Sequence, residues 1–243
     1  MATGKQDWSD NQSLTSYLDS SDLMEVSARV AQTFRFYRGG NVLFYTGFET
    51  NDDYVNLHKS VPGVTLQKTN SFALTGQYCL ECSVPTINDY GELQKVIPAI
   101  TSRYMAISGA IDITNLDGLC YVSLTVYDGA QAYIPVLRFK SSNQRIAVQL
   151  ADTSTPKITD YSTLFVTDDK HWIPFKMWID LELGEYLKLD VFGVEYDLSG
   201  QAMPVAATTV NPCVYVTWRI DANTAGVSAG NLDYLMVTTN DPS

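Results

Sequence analysis

Residues 172–198 read WIPFKMWIDLELGEYLKLDVFGVEYDL, a stretch in which apolar and polar side chains alternate between turn residues. Alternation with a period of two is typical of β-strands that bury one face. A three-residue turn at 184–186 aligns two strands so that one apolar set faces inward: Met177, Ile179, Leu181, Leu183, Leu187, Leu189 and Val191. The stretch therefore predicts a hairpin with one buried face and one outward face.

The outward face of this hairpin carries polar and aromatic side chains. The same register creates three cross-strand pairs on it: Trp178 with Phe192, Asp180 with Asp190, and Glu182 with Lys188. Opposed aspartates repel unless water, a cation or a hydroxylated ligand separates them. An exposed aromatic pair is an unusual apolar patch unless something binds there. The candidate ligand-binding residues are therefore Trp178, Asp180, Asp190 and Phe192. The alternative is that another part of the chain, such as the N-terminal segment, covers the two rings.

The chain from residue 41 onward has no sustained helical periodicity. Short apolar runs separated by Gly, Asn, Asp and Pro predict strands at 42–45, 78–84, 104–113, 120–127, 133–139, 145–150, 172–183, 187–191, 194–198, 213–220 and 232–238. Many short strands at even spacing are typical of a sandwich or barrel. The predicted fold class is all-β, an antiparallel β-sandwich over residues 41–243.

Residues 1–40 differ from the rest of the chain. Residues 1–21 are rich in Ser, Asp and Asn, with four scattered apolar anchors at Trp8, Leu14, Tyr17 and Leu18. Asp22, with Glu25 three residues later, resembles a capping box and predicts a short helix through about Gln32. We therefore expect residues 1–40 to form an arm and short helix that dock on a neighbouring subunit.

The net charge of the chain limits the classes of partner that it is expected to bind. Sixteen Lys and Arg against 27 Asp and Glu give a net charge of -11. Such a surface repels phosphate backbones and anionic headgroups, so neither nucleic acid nor a membrane is an expected partner. Residues 1–10 are polar and lack the basic and apolar parts of a secretory signal, and no apolar run is long enough to span a bilayer. Synthesis in a cytoplasm is expected.

The motifs for metal, redox and nucleophilic chemistry are weak. Cys79 and Cys82 have C-x-x-C spacing, but they lie on a predicted strand, where residues three apart face opposite sides. We expect ordinary reduced cysteines, one in the core and one facing outward. His58 and His171 both lie near predicted loops and are expected to be surface imidazoles. The sequence has no G-x-S-x-G elbow, Walker A loop or H-E-x-x-H motif.

Three segments resemble the concanavalin A-like jelly-roll superfamily of lectins, laminin-G-type modules and carbohydrate-binding modules. They are FYTGFE at 44–49, the hairpin residues 172–182 and 192–198, and GNLDYLMV at 230–237. The resemblance implies a jelly-roll sandwich in which the candidate rings, Trp178 and Phe192, stack on sugars. It also implies, as a secondary prediction, a structural calcium between the first and last strands, with oxygen ligands from Glu49, Asp52 and Asp233. No cofactor is required.

Glycoside hydrolases of this fold carry E-x-D-x-x-E on one strand, with alternate carboxylates in one groove. The run Asp180–Glu185, DLELGE, has the first two acids exchanged, and the predicted register places Glu185 in a turn. We therefore expect no enzymatic activity.

Residues 23–31, 34–44 and 47–49 resemble bacteriophage-encoded virion proteins, in which a short helix and a turn precede the jelly roll. This resemblance implies a non-enzymatic virion structural protein, located in the particle as a decoration or a head- or tail-associated component. The implied partners are other virion subunits, including copies of the chain, with glycans as further partners. The alternative function is a carbohydrate-binding module, and a glycoside hydrolase ranks third.

Overall fold

The structure, a computed structural model, describes residues 40–49, 57–70, 73–74, 76–98, 102–113, 118–140, 144–160, 172–223 and 228–240. Within these ranges the chain contains β-strands and no helix. Of the predicted arm and helix at 1–40, residues 1–39, with Trp8, Leu14, Tyr17 and Leu18, lie outside the described residues. A search of the described residues finds no helix long and apolar enough to cross a membrane.

The strands follow one another along the chain as β1 (Asn41–Thr46), β2 (Leu57–Lys59), β3 (Thr65–Thr69), β4 (Cys79–Val84), β5 (Tyr90–Pro98), β6 (Tyr104–Asp112), β7 (Gly118–Tyr127), β8 (Gln131–Tyr133), β9 (Val136–Lys140), β10 (Arg145–Val148), β11 (Lys157–Asp160), β12 (Trp172–Asp180), β13 (Glu185–Val191), β14 (Val194–Ala202), β15 (Val205–Ala207), β16 (Cys213–Ala222) and β17 (Ser228–Thr239). Their alternating burial confirms the predicted all-β class.

Two antiparallel sheets form the sandwich. Sheet A has the order β14-β13-β12-β6-β17-β4-β3, and β1 pairs with β17. Sheet B has the order β11-β10-β9-β7-β16-β5-β2, with β8 between β7 and β15. Pairing of the first described strand with the last agrees with the predicted jelly-roll sandwich.

The inward side chains of both sheets form one hydrophobic core. Phe139 of sheet B and Phe175 of sheet A meet edge to face, with ring centroids 6.1 Å apart. Among the described residues, Trp218 on β16 is the largest fully buried side chain. Complete burial of a large apolar side chain contributes about 1.5–3 kcal/mol, so this shared core holds the two sheets together.

The predicted hairpin forms, but the predicted register is wrong. β12 ends at Asp180, and residues 181–184 form the turn. The observed pairs are Trp178 with Lys188, Asp180 with Glu185, and Lys176 with Asp190. Trp178 is predicted to pair with Phe192 but pairs with Lys188, four positions earlier in the sequence. Because this shift is an even number of residues, the apolar face still points inward. A bulge skips Leu187, so Tyr186 takes the buried position. Leu183, which lies in the turn, is exposed.

Several strands escape the sequence prediction. β2, β3, β5, β11 and β15 are absent from it, and the predicted strand at 133–139 is divided into β8 and β9. β5 is the most consequential of these, because it contributes nine residues to sheet B between β16 and the short edge strand β2. Its sequence, YGELQKVIP, is rich in residue types that are depleted in strands. Burial of Leu93 and Ile97 in the core offsets that preference.

The cysteines are thiols, as predicted, but their placement differs in one respect. Cys82 packs in the core, and Cys79 lies on the opposite face of β4. Both are fully buried, so the prediction that one sulfur faces outward to solvent is wrong. Cys120 is buried as well, and Cys213 is half-buried.

Candidate functional site

The outward faces of the two sheets differ in exposure. On sheet A, the outward side chains at the centre are buried: Ala106, Ser108, Ala110, Asp112, Lys176, Trp178 and Asp180. On sheet B, most of the outward side chains of β5, β7, β9 and β16 are half-buried. Among the described residues, a ligand from solution therefore reaches the centre of sheet B more readily than that of sheet A.

Trp178, a predicted ligand-binding residue, is 5% exposed. The ammonium nitrogens of Lys176 and Lys188 lie 4.6 and 4.4 Å from the centroid of its ring. These distances are within the range of cation–π attraction. The indole therefore packs between two lysines of its own sheet.

Asp180 is 1% exposed and accepts four hydrogen bonds. Its Oδ1 accepts from the N–H groups of Glu182 and Leu183, at 2.9 and 3.2 Å. Its Oδ2 accepts from Nε and Nη2 of Arg103, at 2.9 and 2.8 Å. Burial acts to raise the pKa of Asp180, but the hydrogen bonds from Arg103 and the turn outweigh it and hold that pKa below its ordinary value. The carboxylate stabilises the β12–β13 turn.

Asp190 lies near the end of β13, and Phe192 begins the turn that follows it. Oδ1 of Asp190 accepts a 2.7 Å hydrogen bond from the N–H of Gly193. Phe192 has a positive φ of 58° and packs against the edge of the core. The structure therefore does not bring Trp178 and Phe192, or Asp180 and Asp190, together as the predicted cross-strand pairs.

The residues predicted to bind calcium are placed as follows. Oε1 of Glu49 accepts hydrogen bonds from the N–H groups of Gln77 and Tyr78, at 2.8 and 3.2 Å. Asp233 is fully buried in β17, and Asp52 lies outside the described residues. Among the described residues there is no cluster of three or more His, Cys, Asp or Glu suited to a metal. The calcium site stays a prediction.

Among the groups considered for catalysis, the carboxylates of Asp180, Glu182 and Glu185 lie near one another at the β12–β13 turn, whereas His58 lies in the other sheet. Glu182 is exposed and forms an ion pair with Arg103 at 2.8 Å, and Glu185 lies opposite Asp180. His58 is exposed on β2, across from Glu92 of β5. His171 lies outside the described residues.

The outward face of sheet B carries a continuous row of polar and aromatic side chains. Cross-strand pairing aligns Arg138, Tyr121, Arg219, Glu92 and His58 on β9, β7, β16, β5 and β2. Adjacent rows add hydroxyl, amide and further phenol groups. We call this surface the tyrosine face and define it by Tyr90, Gln94, Tyr121, Ser123, Tyr127, Tyr215, Thr217 and Arg219.

Arg219 organises the centre of the tyrosine face. Its guanidinium carbon lies 3.7 Å from the ring centroid of Tyr90 and 5.6 Å from that of Tyr121. Its Nε donates a 2.6 Å hydrogen bond to Asp221, and its Nη1 lies 3.6 Å from a carboxylate oxygen of Glu92. The stacking and the two carboxylates fix the orientation of the guanidinium. The two rings are therefore held in place before a ligand arrives.

The phenols of the tyrosine face are hydrogen-bonding groups at neutral pH. Burial raises the pKa of Tyr121 to about 12, although the positive charge of Arg219 acts in the opposite direction. Burial likewise raises the pKa of Tyr127, whose ring meets that of Tyr215 edge to face at 5.4 Å. These hydroxyls remain protonated and can both donate and accept hydrogen bonds.

The sequence prediction missed this surface. β7 and β16 are predicted strands, and alternation alone places Tyr121, Tyr127, Tyr215 and Arg219 on their outward sides. The same signal places Ser123 and Thr217 outward, so six of the eight residues could be found from predicted strands. Tyr90 and Gln94 lie on β5, which the sequence does not predict, and the joining of the strands into one face depends on the pairing of β7 with β16, which local sequence does not encode.

No model of a known protein family matches the sequence, and neither does any curated protein. Solved structures do match. The endo-β-1,4-glucuronan lyase of the fungus Trichoderma reesei has a TM-score of 0.54 and 13% identity, over 82% of this chain and 96% of the lyase. A carbohydrate esterase from the Shiga toxin-encoding bacteriophage phi24B has a TM-score of 0.54 and 13% identity, over 84% of this chain and 100% of the esterase.

The carbohydrate recognition domain of Emp46p is also similar, with a TM-score of 0.50 and 12% identity, over 86% of this chain and 100% of that domain. At such identities the likeness concerns the fold. These structures confirm the jelly-roll sandwich predicted from the sequence.

Proposed function

We propose that this chain is a carbohydrate-binding jelly roll without enzymatic activity, and that it binds through the tyrosine face. The observation that carries the proposal is the contrast between the two outward faces: sheet A buries its central side chains, whereas sheet B presents half-buried tyrosines among hydroxyl and amide groups. Sites for polar ligands combine apolar surface with a few oriented polar groups, and this surface has both.

The chemistry of the tyrosine face suits a sugar chain. A phenol ring supplies rigid apolar area with a polar tip, and two of these rings are held by Arg219. In the adjacent row the amide of Gln94 is half-buried, and Ser123 and Thr217, 6% and 7% exposed, lie beneath the level of the rings. Sugar rings offer C–H surface to aromatic groups and hydroxyls to polar ones, so one face meets both needs.

The proposal of a binding role, not a catalytic one, rests on the carboxylates of this face. Glu92 and Asp221 both contact Arg219, so neither is an isolated acid or base. Enzymes that cleave glycosidic bonds by acid–base chemistry need one carboxyl group with a raised pKa beside an ionised one.

The test is a glycan-array screen of the purified chain, followed by titration of the best hits. Tyr121→Ala is expected to weaken binding about 5- to 30-fold, the usual effect of removing a tyrosine from the centre of a binding surface. Tyr104→Ala is the matched control, because Arg103 lies 4.9 Å from the Tyr104 ring on sheet A. Full binding by folded Tyr121→Ala, or equal losses in both variants, would exclude the tyrosine face.

The finer proposal is that the jelly roll belongs to a bacteriophage particle, made in the host cytoplasm and attached through residues 1–40. It rests on the sequence resemblance of residues 23–49 to phage virion proteins. A chain lacking residues 1–40 is expected to lose assembly with particle subunits while retaining glycan binding. Normal incorporation of the truncated chain into particles would refute the docking role.

A further inference from the structure

Three cations lie together at one side of the tyrosine face. Arg138 and Lys140 point outward from β9, and Arg145 lies directly across from Lys140 on β10. Arg138 in turn lies across from Tyr121. We call these three side chains the basic corner. It adjoins the aromatic centre of the proposed glycan-binding surface.

The two arginines of the basic corner form no ion pair within the part of the chain that the structure describes. Nη2 of Arg138 donates to the side-chain oxygen of Gln149, and Nη2 of Arg145 lies 3.3 Å from the hydroxyl of Thr155. Asp160 lies across from Arg145 but forms an ion pair with Lys157. By contrast, Arg219 in the same sheet contacts two carboxylates.

The basic corner brings like charges close together. Like charges directly opposite on paired strands repel one another. Burial lowers the pKa of Lys140, and the positive charges of Arg145 and Arg138 lower it further. The whole chain has 27 acidic against 16 basic residues, so carboxylates that would neutralise the cluster are plentiful elsewhere in the sequence. Arg138 and Arg145, which form no ion pair among the described residues, therefore place positive charge beside the tyrosine face, an arrangement suited to an anion.

We infer that the tyrosine face binds an acidic glycan, with a carboxylate or sulfate of the sugar chain lying over the basic corner while an adjacent sugar ring lies on Tyr121. This inference rests on the proposed function and specifies the ligand class. Guanidinium groups match the planar geometry of carboxylates and bind them through two parallel hydrogen bonds. Arg138 and Tyr121, as direct cross-strand partners, would contact neighbouring parts of one ligand.

The test compares polymers that share a backbone and differ in charge. The probes are polygalacturonate against its methyl ester, and dextran sulfate against dextran, with an oligothymidylate strand as a non-carbohydrate polyanion. At about 50 mM salt, where charges are weakly screened, at least one acidic polysaccharide is expected to bind about tenfold or more tightly than its neutral counterpart. The preference is expected to shrink as salt is added.

Single-charge variants locate the anion. Arg138→Gln and Arg145→Gln are each expected to weaken acidic-polymer binding about 3- to 10-fold, a range that allows for partial exposure of the side chains. Arg138→Lys keeps the charge without the forked geometry and is expected to lose less than Arg138→Gln. Lys59→Gln is the matched control, because it removes the same charge from an exposed side chain at the β2 edge. Thermal denaturation establishes that each variant is folded.

The outcomes separate the two proposals. Equal binding of acidic and neutral polymers that depends on Tyr121 would overturn the acidic-glycan inference and leave the proposed function standing. Equal losses in Arg138→Gln and Lys59→Gln would also overturn it, as would oligothymidylate binding as tight as that of the acidic polysaccharides. Absence of binding to any polysaccharide would refute the proposed function itself.

Discussion

The hydroxyl of Tyr186 donates a 2.7 Å hydrogen bond to the carbonyl oxygen of Gln149. The same hydroxyl accepts a 3.0 Å hydrogen bond from the N–H of Val136. Tyr186 belongs to β13 of sheet A, whereas Val136 begins β9 and Gln149 follows β10 in sheet B. A single buried phenol therefore joins the backbones of the two sheets across the core.

Replacement of Tyr186 by phenylalanine is expected to lower the free energy of unfolding by about 1–3 kcal/mol, because a buried N–H and a carbonyl lose their partner. Urea denaturation followed by fluorescence measures the change. Tyr133→Phe is the control, since its hydroxyl bonds to Gln131 at an exposed site, and it is expected to change stability by less than about 0.5 kcal/mol. Equal effects in the two variants would contradict a bridging role for Tyr186.

Asp180→Asn is expected to destabilise the chain by about 1–2 kcal/mol, because it weakens the turn hydrogen bonds and the partly exposed pairing with Arg103. The pKa of Asp180 is held below its ordinary value, so its contribution is present at neutral pH and is lost as pH falls below about 4. Unfolding free energies of the wild type and the variant should therefore converge in acid. Glu182→Gln, exposed on the same arginine, is the control.

High pH is expected to destabilise the chain through its buried thiols. Burial raises the pKa of Cys82 to about 12 and that of Cys120 still further. In the unfolded chain these thiols ionise near pH 8.5, so stability is retained below that pH and lost above it, by about 1.4 kcal/mol per pH unit for each thiol. Cys82→Ala is expected to reduce the slope of unfolding free energy against pH, measured between pH 9 and 11. An unchanged slope would show that Cys82 is not the source.

Thiol reactivity tests the cysteine placement independently. Cys79, Cys82 and Cys120 are buried and Cys213 is half-buried, so an aromatic disulfide reagent is expected to modify one thiol rapidly in the native chain and all four after unfolding. Cys213→Ser should abolish the rapid phase. Rapid modification of two thiols, or a failure to titrate four in denaturant, would contradict this placement.

Sequence alone predicts the sandwich because alternation is a local property. The runs that become β7, β12 and β16 each place apolar side chains at every second position, and the core uses them as expected. The segments 44–49 and 230–237, which carry the resemblance to jelly rolls, overlap β1 and β17. These features require no knowledge of distant contacts.

The candidate site was harder to predict, because it depends on register and on covering contacts. A longer turn and one bulge move Trp178 from Phe192 to Lys188, and neither feature is marked in the sequence. Alternation correctly places Trp178 and Asp180 on the outward face of sheet A. It does not predict that they are buried, because burial of that face is a tertiary property. The strand β5 forms through packing of Leu93 and Ile97, against its local composition.

The outward faces of the two sheets differ in exposure, so the proposed binding surface lies on one side of the domain. Copies anchored side by side with sheet B turned away from their support would present parallel tyrosine faces to a repetitive polymer. Several weak contacts made together then hold far more strongly than one, since each bound copy raises the local concentration of sugar units for the next. Attachment would thus depend on the density of copies, and modest affinity in a single domain would still allow rapid release and rebinding along a polymer.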